Sequence, residues 1–569
     1  HERPRVTFGT AASTHPTIVV DPDRGYQTMD GFGASITDSS AELLAGRPDT
    51  MRELFDPVHG IGVSFLRQPV GSSDFTAAEE HYTYDDVPAG QTDFALEHFS
   101  VRHDEAKILP LLRQAKRLNP KLEVMATPWS PPAWMKTNES LVGGRLKDDP
   151  AIYDAYARYL VKFVQAYARA GVPIDFLSVQ NEPQNRTPDA YPGTDMPVAA
   201  QLKVIEALGP KLRGSRTKIL GYDHNWATHP NDGTAEADYP YQVLRSPAAK
   251  WLAGTAYHCY YGAPAAQTAL HNAFPDKGIW FTECSGSKGA TDPPAKVFSD
   301  TLRWHARNVV LGTTRNWARS AVNWNIALDS TGGPHNGGCG TCTGLVTVQP
   351  DGSVTTDAEY YTIGHLSKFV KPGARRIAST SFGTTGWNGQ IMDAAFRNPD
   401  GSTALVVHNE NDEPRTFAVT VGDRTFEYTL PGGALATFTW TAHFHSKLNA
   451  VPLTGATATD AALVDDDAST RWSSGAAQTP GQFVQVDLGR REEFRRVALD
   501  SGGNLGDYAR NWDLSVSDDG ATWRSLKTGA STGQLTDIDV RRTSARYLRI
   551  TSTSSASNWW SIADLRLYK

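Results

Sequence analysis

Leu177-Ser-Val-Gln-Asn-Glu-Pro183 and Ile279-Trp-Phe-Thr-Glu-Cys284 are the stretches on which the reading of this chain turns. Each is a short apolar run, suited to a buried strand, that ends on a glutamate where polar loop chemistry begins. A carboxylate in that position is costly unless it is paired or used. Two such endings in one chain suggest that Glu182 and Glu283 work together.

Outward from these two runs, strand-like and helix-like segments alternate. Strands are expected at residues 28–37, 62–70, 123–129, 176–182, 218–224, 254–260, 278–283 and 320–327. Helical spacing of apolar residues is clearest at 105–117, 151–170, 198–208 and 296–311. In the second of these, Tyr153, Tyr156, Leu160, Phe163 and Val164 form one face. Eight such units over about 300 residues match a (β/α)8 TIM barrel. A doubly wound sheet is the rival, but no Gly-rich phosphate loop follows any strand.

After Val370 the pattern changes to short alternating strands at 391–396, 404–408, 416–421 and 434–440, and 17–20 is similar. Beyond residue 451 Ser, Thr, Asp and Gly rise and helical periodicity disappears. The expected organisation is a barrel at 25–370 and a small β side domain from 1–24 plus 371–442. An independent β-sandwich follows at 450–569, packed on the rest because no long linker precedes it.

The chain has 569 residues, 40% hydrophobic and 21% charged, with a net charge of −7 spread along its length. That composition describes a soluble globular protein and argues against nucleic acid or an anionic membrane as main partner. No apolar run is long enough to span a bilayer. The 15 Trp and 20 Tyr fit either core packing or stacking on sugar rings. The opening His1-Glu-Arg-Pro4 carries no signal-peptide core, so export is expected from domain type alone. The spacing Cys339-Gly-Thr-Cys342 invites a zinc reading, but no second paired motif accompanies it. A local disulfide or two free thiols is the better expectation. Cys259 and Cys284 are read as buried thiols, with a bridge between them as the alternative.

Polar and aromatic residues recur at the expected strand C-termini: Arg67 and Asp74, Trp129 and Trp134, Asn181 and Glu182, His258 and Tyr260, Glu283, then Trp324 and Asn325. In a barrel these ends share one mouth. Five separated segments then resemble glycoside hydrolase family 30. They are Asp30-Gly-Phe-Gly-Ala-Ser-Ile-Thr-Asp-Ser39, Ala126-Thr-Pro-Trp-Ser-Pro-Pro-Ala-Trp-Met-Lys-Thr-Asn138, Ser178-Val-Gln-Asn-Glu-Pro183, Phe281-Thr-Glu-Cys284 and Val322-Asn-Trp-Asn-Ile-Ala-Leu328. The resemblance spans about residues 17 to 440. It implies a retaining mechanism, with Glu283 as nucleophile and Glu182 as acid/base. Arg67 and Tyr260 are expected to keep Glu283 ionised. Burial and the Glu283 charge are expected to raise the Glu182 carboxyl. Asn181 is expected at the sugar 2-hydroxyl. Arg67, Asp74, Trp129, Tyr191, His258, Tyr260 and Trp324 complete the expected substrate-binding set. Asp223 and His224 either line the sugar subsite or cap a polar loop.

Val464-Asp-Asp-Asp-Ala-Ser-Thr-Arg-Trp472, Gln485-Val-Asp-Leu-Gly489, Trp512-Asp-Leu-Ser-Val-Ser-Asp-Asp-Gly520, Tyr547-Leu-Arg-Ile550 and Ser561-Ile-Ala-Asp-Leu565 resemble the discoidin-like (F5/8 type C) sandwich of carbohydrate-binding module family 32. That likeness implies sugar contacts from Tyr508, Trp559 and Trp560. It also implies a structural Ca2+ held by Asp465, Asp467, Thr470 and Asp564; a solvated acidic turn is the alternative. In sum, the expectation is a secreted, monomeric retaining β-glycoside hydrolase that needs no cofactor for catalysis. Its partners would be a neutral β-glucan, β-1,6-linked in the first instance, and a carbohydrate ligand of the C-terminal module. Glucosylceramide, a β-xyloside or a β-galactoside remain alternative substrates. A non-catalytic glycan-binding protein is the alternative of another class.

Overall fold

The computed structural model describes residues 1–569 except 1, 12, 14, 187–189, 231–235, 290, 380–390, 443–449, 466–469, 502–505 and 532–534. Eight parallel strands close into a barrel: Gly31–Ser35, Phe65–Val70, Glu123–Pro128, Phe176–Ser178, Lys218–Asn225, Leu252–His258, Gly278–Glu283 and Ala318–Asn325. All eight expected strands are present, and the ring closes where Phe32 pairs with Ala321. Phe65, Met125, Phe176, Leu220, Ala256, Trp280 and Val322 form a buried core layer. They come from seven different strands, so the barrel is filled rather than hollow. Gly254 is required within this wall: a Cβ there would stand 1.8 Å from the Gly278 carbonyl oxygen.

The expected helix at 151–170 is Pro150–Arg169. The Asp149 side chain accepts from the Ala151 N–H, and Pro150 takes the first turn, where no intrahelical donor is needed. Its buried face contains Tyr153, Tyr156, Leu160, Phe163 and Val164. The helix expected at 296–311 is α-helical only over Pro294–His305. It widens into a π-helix over Ala306–Thr313, where the Thr313 and Thr314 hydroxyls bond carbonyls four residues back.

By its contacts the chain forms two compact units, Gln27–Ala374 and the combination of His1–Tyr26 with Arg375–Lys569. The second unit holds a seven-stranded side sheet in the order Arg424–Leu430, Arg415–Val421, Thr17–Thr28, Arg375–Ser379, Ile391–Arg397, Thr403–Asn409, Leu435–Trp440. Two of these strands, Arg375–Ser379 and Arg424–Leu430, were not expected; the second does alternate, with Phe426, Tyr428 and Leu430 inward. The same unit contains the C-terminal module, built on the long antiparallel pair Phe483–Asp500 and Leu535–Ser552. Val484, Phe494, Trp512, Leu514, Leu548 and Leu565 are in its core.

Candidate active site

The barrel's inward positions carry small hydroxyls instead of apolar groups near the C-terminal mouth. Thr127, Ser178 and Thr282, on three different strands, all donate to the carboxylate of Asp223, at 2.9, 2.7 and 2.8 Å. Asp223 also accepts from Arg67 Nη2 at 3.0 Å and lies 3.0 Å from His258 Nε2. Tyr222 and Asp223 both adopt left-handed backbone (φ 67° and 68°), and the ladder slips between Tyr222 and His224. That bulge accompanies the placement of a carboxylate inside the barrel. Burial opposes its ionisation, but Arg67 and the hydrogen bonds hold it well below the usual carboxylate range.

Arg67 is fully buried and fixed by this anion. Its Nη1 donates to Glu283 Oε2 and its Nη2 to Asn181 Oδ1 at 2.7 Å. The guanidinium lies 5.0 Å from the Trp129 ring and 5.6 Å from Trp324, and the two indoles stack at 4.8 Å. Tyr260 donates its hydroxyl to Glu283 Oε1 at 2.9 Å, while its ring is exposed.

Glu182, with φ 44°, sits in strained left-handed backbone fastened by its N–H to the Asp223 carbonyl. Its Oε1 lies 3.1 Å from His258 Nδ1, and its Oε2 accepts from Asn185 at 3.1 Å. Asn185 in turn meets the Tyr191 hydroxyl at 3.0 Å. Asp74 stands at the same mouth, beneath Gly338, where a Cβ would come within 2.5 Å of Asp74 Cβ. Burial and the charges of Glu283 and Glu182 push the Asp74 carboxyl up to about 8.

Two expectations change here. His258 is completely buried, so it reaches a substrate only through Glu182. Burial would lower its imidazole, but the Glu283 charge and hydrogen bonds to Asp223 and Glu182 push it up to about 9. Glu182, expected to be raised, is lowered: burial is outweighed by the His224 charge and the His258 bond, which bring it to about 2. Glu283 is the member that is raised, by burial with the Glu182 charge adding to it, against His258 and Arg67. One ligand atom each of Glu182, His258 and Glu283 lie within 4.8 Å of one another, a spacing that would also suit a metal ion. His258, however, has both ring nitrogens engaged, by Glu182 and Asp223, and offers no lone pair.

The Glycosyl hydrolase family 30 TIM-barrel domain matches residues 29–370, and the family's beta sandwich domain matches 373–438. The chain belongs to glycoside hydrolase family 30. An Endo-1,6-beta-D-glucanase of Neurospora crassa is 34% identical to this family 30 enzyme over 422 residues, 71% of this chain and 83% of the relative. The Lysosomal acid glucosylceramidase of Mus musculus is 30% identical over 447 residues, 74% and 83%. A solved structure described as the endo-beta1,6-glucanase is 35% identical with a TM-score of 0.68, covering 77% of this chain and 96% of that one.

The F5/8 type C domain matches residues 447–565 of the family 30 enzyme. Within this module Trp560 is 1% exposed and packs edge-on against Trp472 at 5.1 Å. It is core, not a sugar contact, because the chain turns its indole inward beside Ile562. Trp559, the neighbour, is 46% exposed. Tyr508 is half-buried, with Arg510 3.8 Å from its ring. Of the expected calcium ligands, Asp467 lies outside the described residues. Asp465 accepts from Thr470 at 2.7 Å, and Asp564 is buried and paired with Arg566 at 2.6 Å.

The four cysteines form two disulfides, Cys259–Cys284 and Cys339–Cys342. The first pair are thus not free thiols; adjacent strand ends bring them together. Trp134 is also structural, donating to Asp85 Oδ2 at 3.1 Å. The reading from sequence missed the Thr127–Ser178–Thr282 hydroxyls and Asn185. A signal was available for the first three: a lone hydroxyl at an inward position of an otherwise apolar strand.

Proposed function

We propose that this family 30 glycosidase is an exported, retaining β-glycoside hydrolase that cuts β-1,6-glucan. The close approach of Glu182 to Glu283 carries the reading of mechanism. Carboxyl groups about 5–5.5 Å apart leave no room for a water between nucleophile and anomeric carbon, which selects double displacement. Glu283, aligned by Arg67 and Tyr260, attacks C1 as the glycosidic C1–O bond breaks. Glu182 gives its proton to the departing oxygen. In the second step Glu182 takes a proton from water, the water oxygen attacks C1, and Glu283 is released as a carboxylate.

Attack needs Glu283 as the carboxylate and Glu182 as the acid. Positive charge developing at C1 lies against Glu283 and stabilises its anion, so the shared proton settles on Glu182. Asn181, with Oδ1 committed to Arg67, presents its amide Nδ2 to the 2-hydroxyl. Asp74, at the same mouth, faces another sugar oxygen.

Similarity to endo-1,6-glucanases supports the linkage. Glucosylceramide is the second reading, favoured by the 30% identity to the mouse enzyme. Tyr260 and Tyr261 are both exposed after the sixth strand, a polar aromatic edge suited to sugar rather than to ceramide. The two disulfides and the glycan-binding type of module support an extracellular setting.

A panel of linkage-defined glucans and glucosylceramide, with early product followed by anomeric NMR, tests the proposal. Expected are β-configured first products from β-1,6-glucan and losses of about 10²–10⁴-fold in Glu182→Gln and at least as much in Glu283→Gln. First products in the α configuration would refute double displacement.

A further inference from the structure

Both disulfides lie on loops at the catalytic end of the barrel, and they use all four cysteines of the chain. Cys259 follows His258, the last residue of the sixth strand, and Cys284 follows Glu283, the last of the seventh. His258 and Glu283 are themselves ladder partners, and the register shifts just before them. The bridge is therefore a covalent rung placed where the ladder ends. One residue beyond it on one strand is Tyr260, whose hydroxyl bonds the carboxylate one residue before it on the other. The Cys284 carbonyl accepts from the Trp324 N–H at 2.6 Å, tying the rung to the eighth strand as well.

The second bridge continues the same construction. The segment after Glu283 pairs with the segment around Cys342: Ser287 bridges Cys342, Lys288 N–H bonds the Thr341 carbonyl, and Thr343 N–H bonds the Gly286 carbonyl. Cys342 packs with Trp129 and Trp324. Closing a loop with a sequence separation of only three residues constrains the unfolded chain little. The Cys259–Cys284 bridge, with a sequence separation of 25, restrains the unfolded chain more, so its effect on rate has to be read apart from its effect on stability.

We propose that the Cys259–Cys284 disulfide is a positioning device for catalysis, holding the Glu283 carboxylate in register with the Tyr260 hydroxyl. This rests on Glu283 being the nucleophile. When the bridge is open, the barrel stays folded through its backbone ladder and core, while the two strand ends drift apart and Glu283 loses its aim at C1.

The test is covalent labelling with 2,4-dinitrophenyl 2-deoxy-2-fluoro-β-gentiobioside. Glu283 attacks C1, the C1–O bond breaks, and dinitrophenolate leaves with the electron pair, so no acid from Glu182 is needed. In the intact enzyme, mass spectrometry of the labelled peptide should place the sugar on Glu283; a label elsewhere overturns the nucleophile assignment itself. In C259S/C284S, and in the parent enzyme under thiol reductant, the maximal labelling rate should fall at least tenfold. The concentration for half-maximal rate should move less than threefold, with an unchanged circular dichroism spectrum. In the reduced parent, reoxidation should restore the rate. Tyr260→Phe should slow labelling by itself, and opening the bridge in that background should add less than twofold. Asp30→Asn, which removes the ion pair to Arg319 at the opposite end of the barrel, supplies a control of lowered melting temperature and parental rate. If labelling in the opened enzyme stays within twofold of the parent, or if slowing follows melting temperature across all variants, the bridge is merely stabilising and the proposal fails.

Discussion

His258 shows how far one side chain's environment can depart from what its position suggests. It stands at a strand end, as a substrate contact would, yet it is buried between Asp223 and Glu182. An imidazole pushed up from 6.5 to about 9 stabilises the fold while it is charged. That stabilisation is complete below pH 6.5 and is lost as pH rises through 9. A shift of this size corresponds to about 3 kcal/mol. His258→Asn should therefore be less stable than the parent at pH 6, and its stability should fall less between pH 6.5 and 9. Removing the imidazolium also raises both carboxyls, so the pH–rate bell should move to higher pH as well as shrink. Urea melts and pH–rate profiles check these together; a bell of unchanged position would show that His258 is not coupled to the carboxyl pair.

At the scale of elements, the eight barrel strands were legible because each apolar run had its own length, turn signals and polar ending. Arg67, Asn181, Glu182 and Glu283 were legible for the same reason: they sit where a strand meets a mouth. The Asp223 hub was only half legible. Its inward aim goes with two left-handed residues and a register slip, which follow from tertiary pairing and not from local pattern. The lowering of the Glu182 carboxyl was illegible, since it comes from His224 and His258, brought in from two other strands. Gly254 also looked ordinary in the sequence, although its neighbour leaves no space for a side chain. Gly254→Ala forces apart the sixth and seventh strands, on which Tyr260 and Glu283 depend. Overpacking of a wall typically costs about 1–3 kcal/mol, and here the obstacle is backbone. A melting-temperature loss of several degrees, with activity lost disproportionately at temperatures where the variant is still folded, is the expected outcome. Parental melting would mean that the wall yields more easily than its geometry indicates.

For the whole molecule, the question is what the C-terminal module adds to a barrel that already holds a complete set of catalytic groups. A tethered binding module raises the local concentration of substrate at the enzyme without touching the chemistry. Its benefit should thus appear on insoluble polymer and vanish on short soluble oligosaccharides. Of the three aromatics expected to meet sugar, Trp560 is core and Tyr508 carries Arg510 close to its ring, which leaves Trp559 with the most open surface. Stacking on a sugar ring draws on the exposed apolar face of the indole. Trp559→Ala should therefore reduce retention on insoluble β-1,6-glucan about tenfold and slow its hydrolysis several-fold, with kcat/KM on soluble gentio-oligosaccharides unchanged. Trp560→Ala should instead cost about 3–5 kcal/mol of module stability through the cavity it leaves. Pull-down on insoluble glucan beside soluble-substrate kinetics separates the two variants. If Trp559→Ala binds polymer like the parent, the module reads its ligand through some other surface, and the exposed indole has no part in recognition.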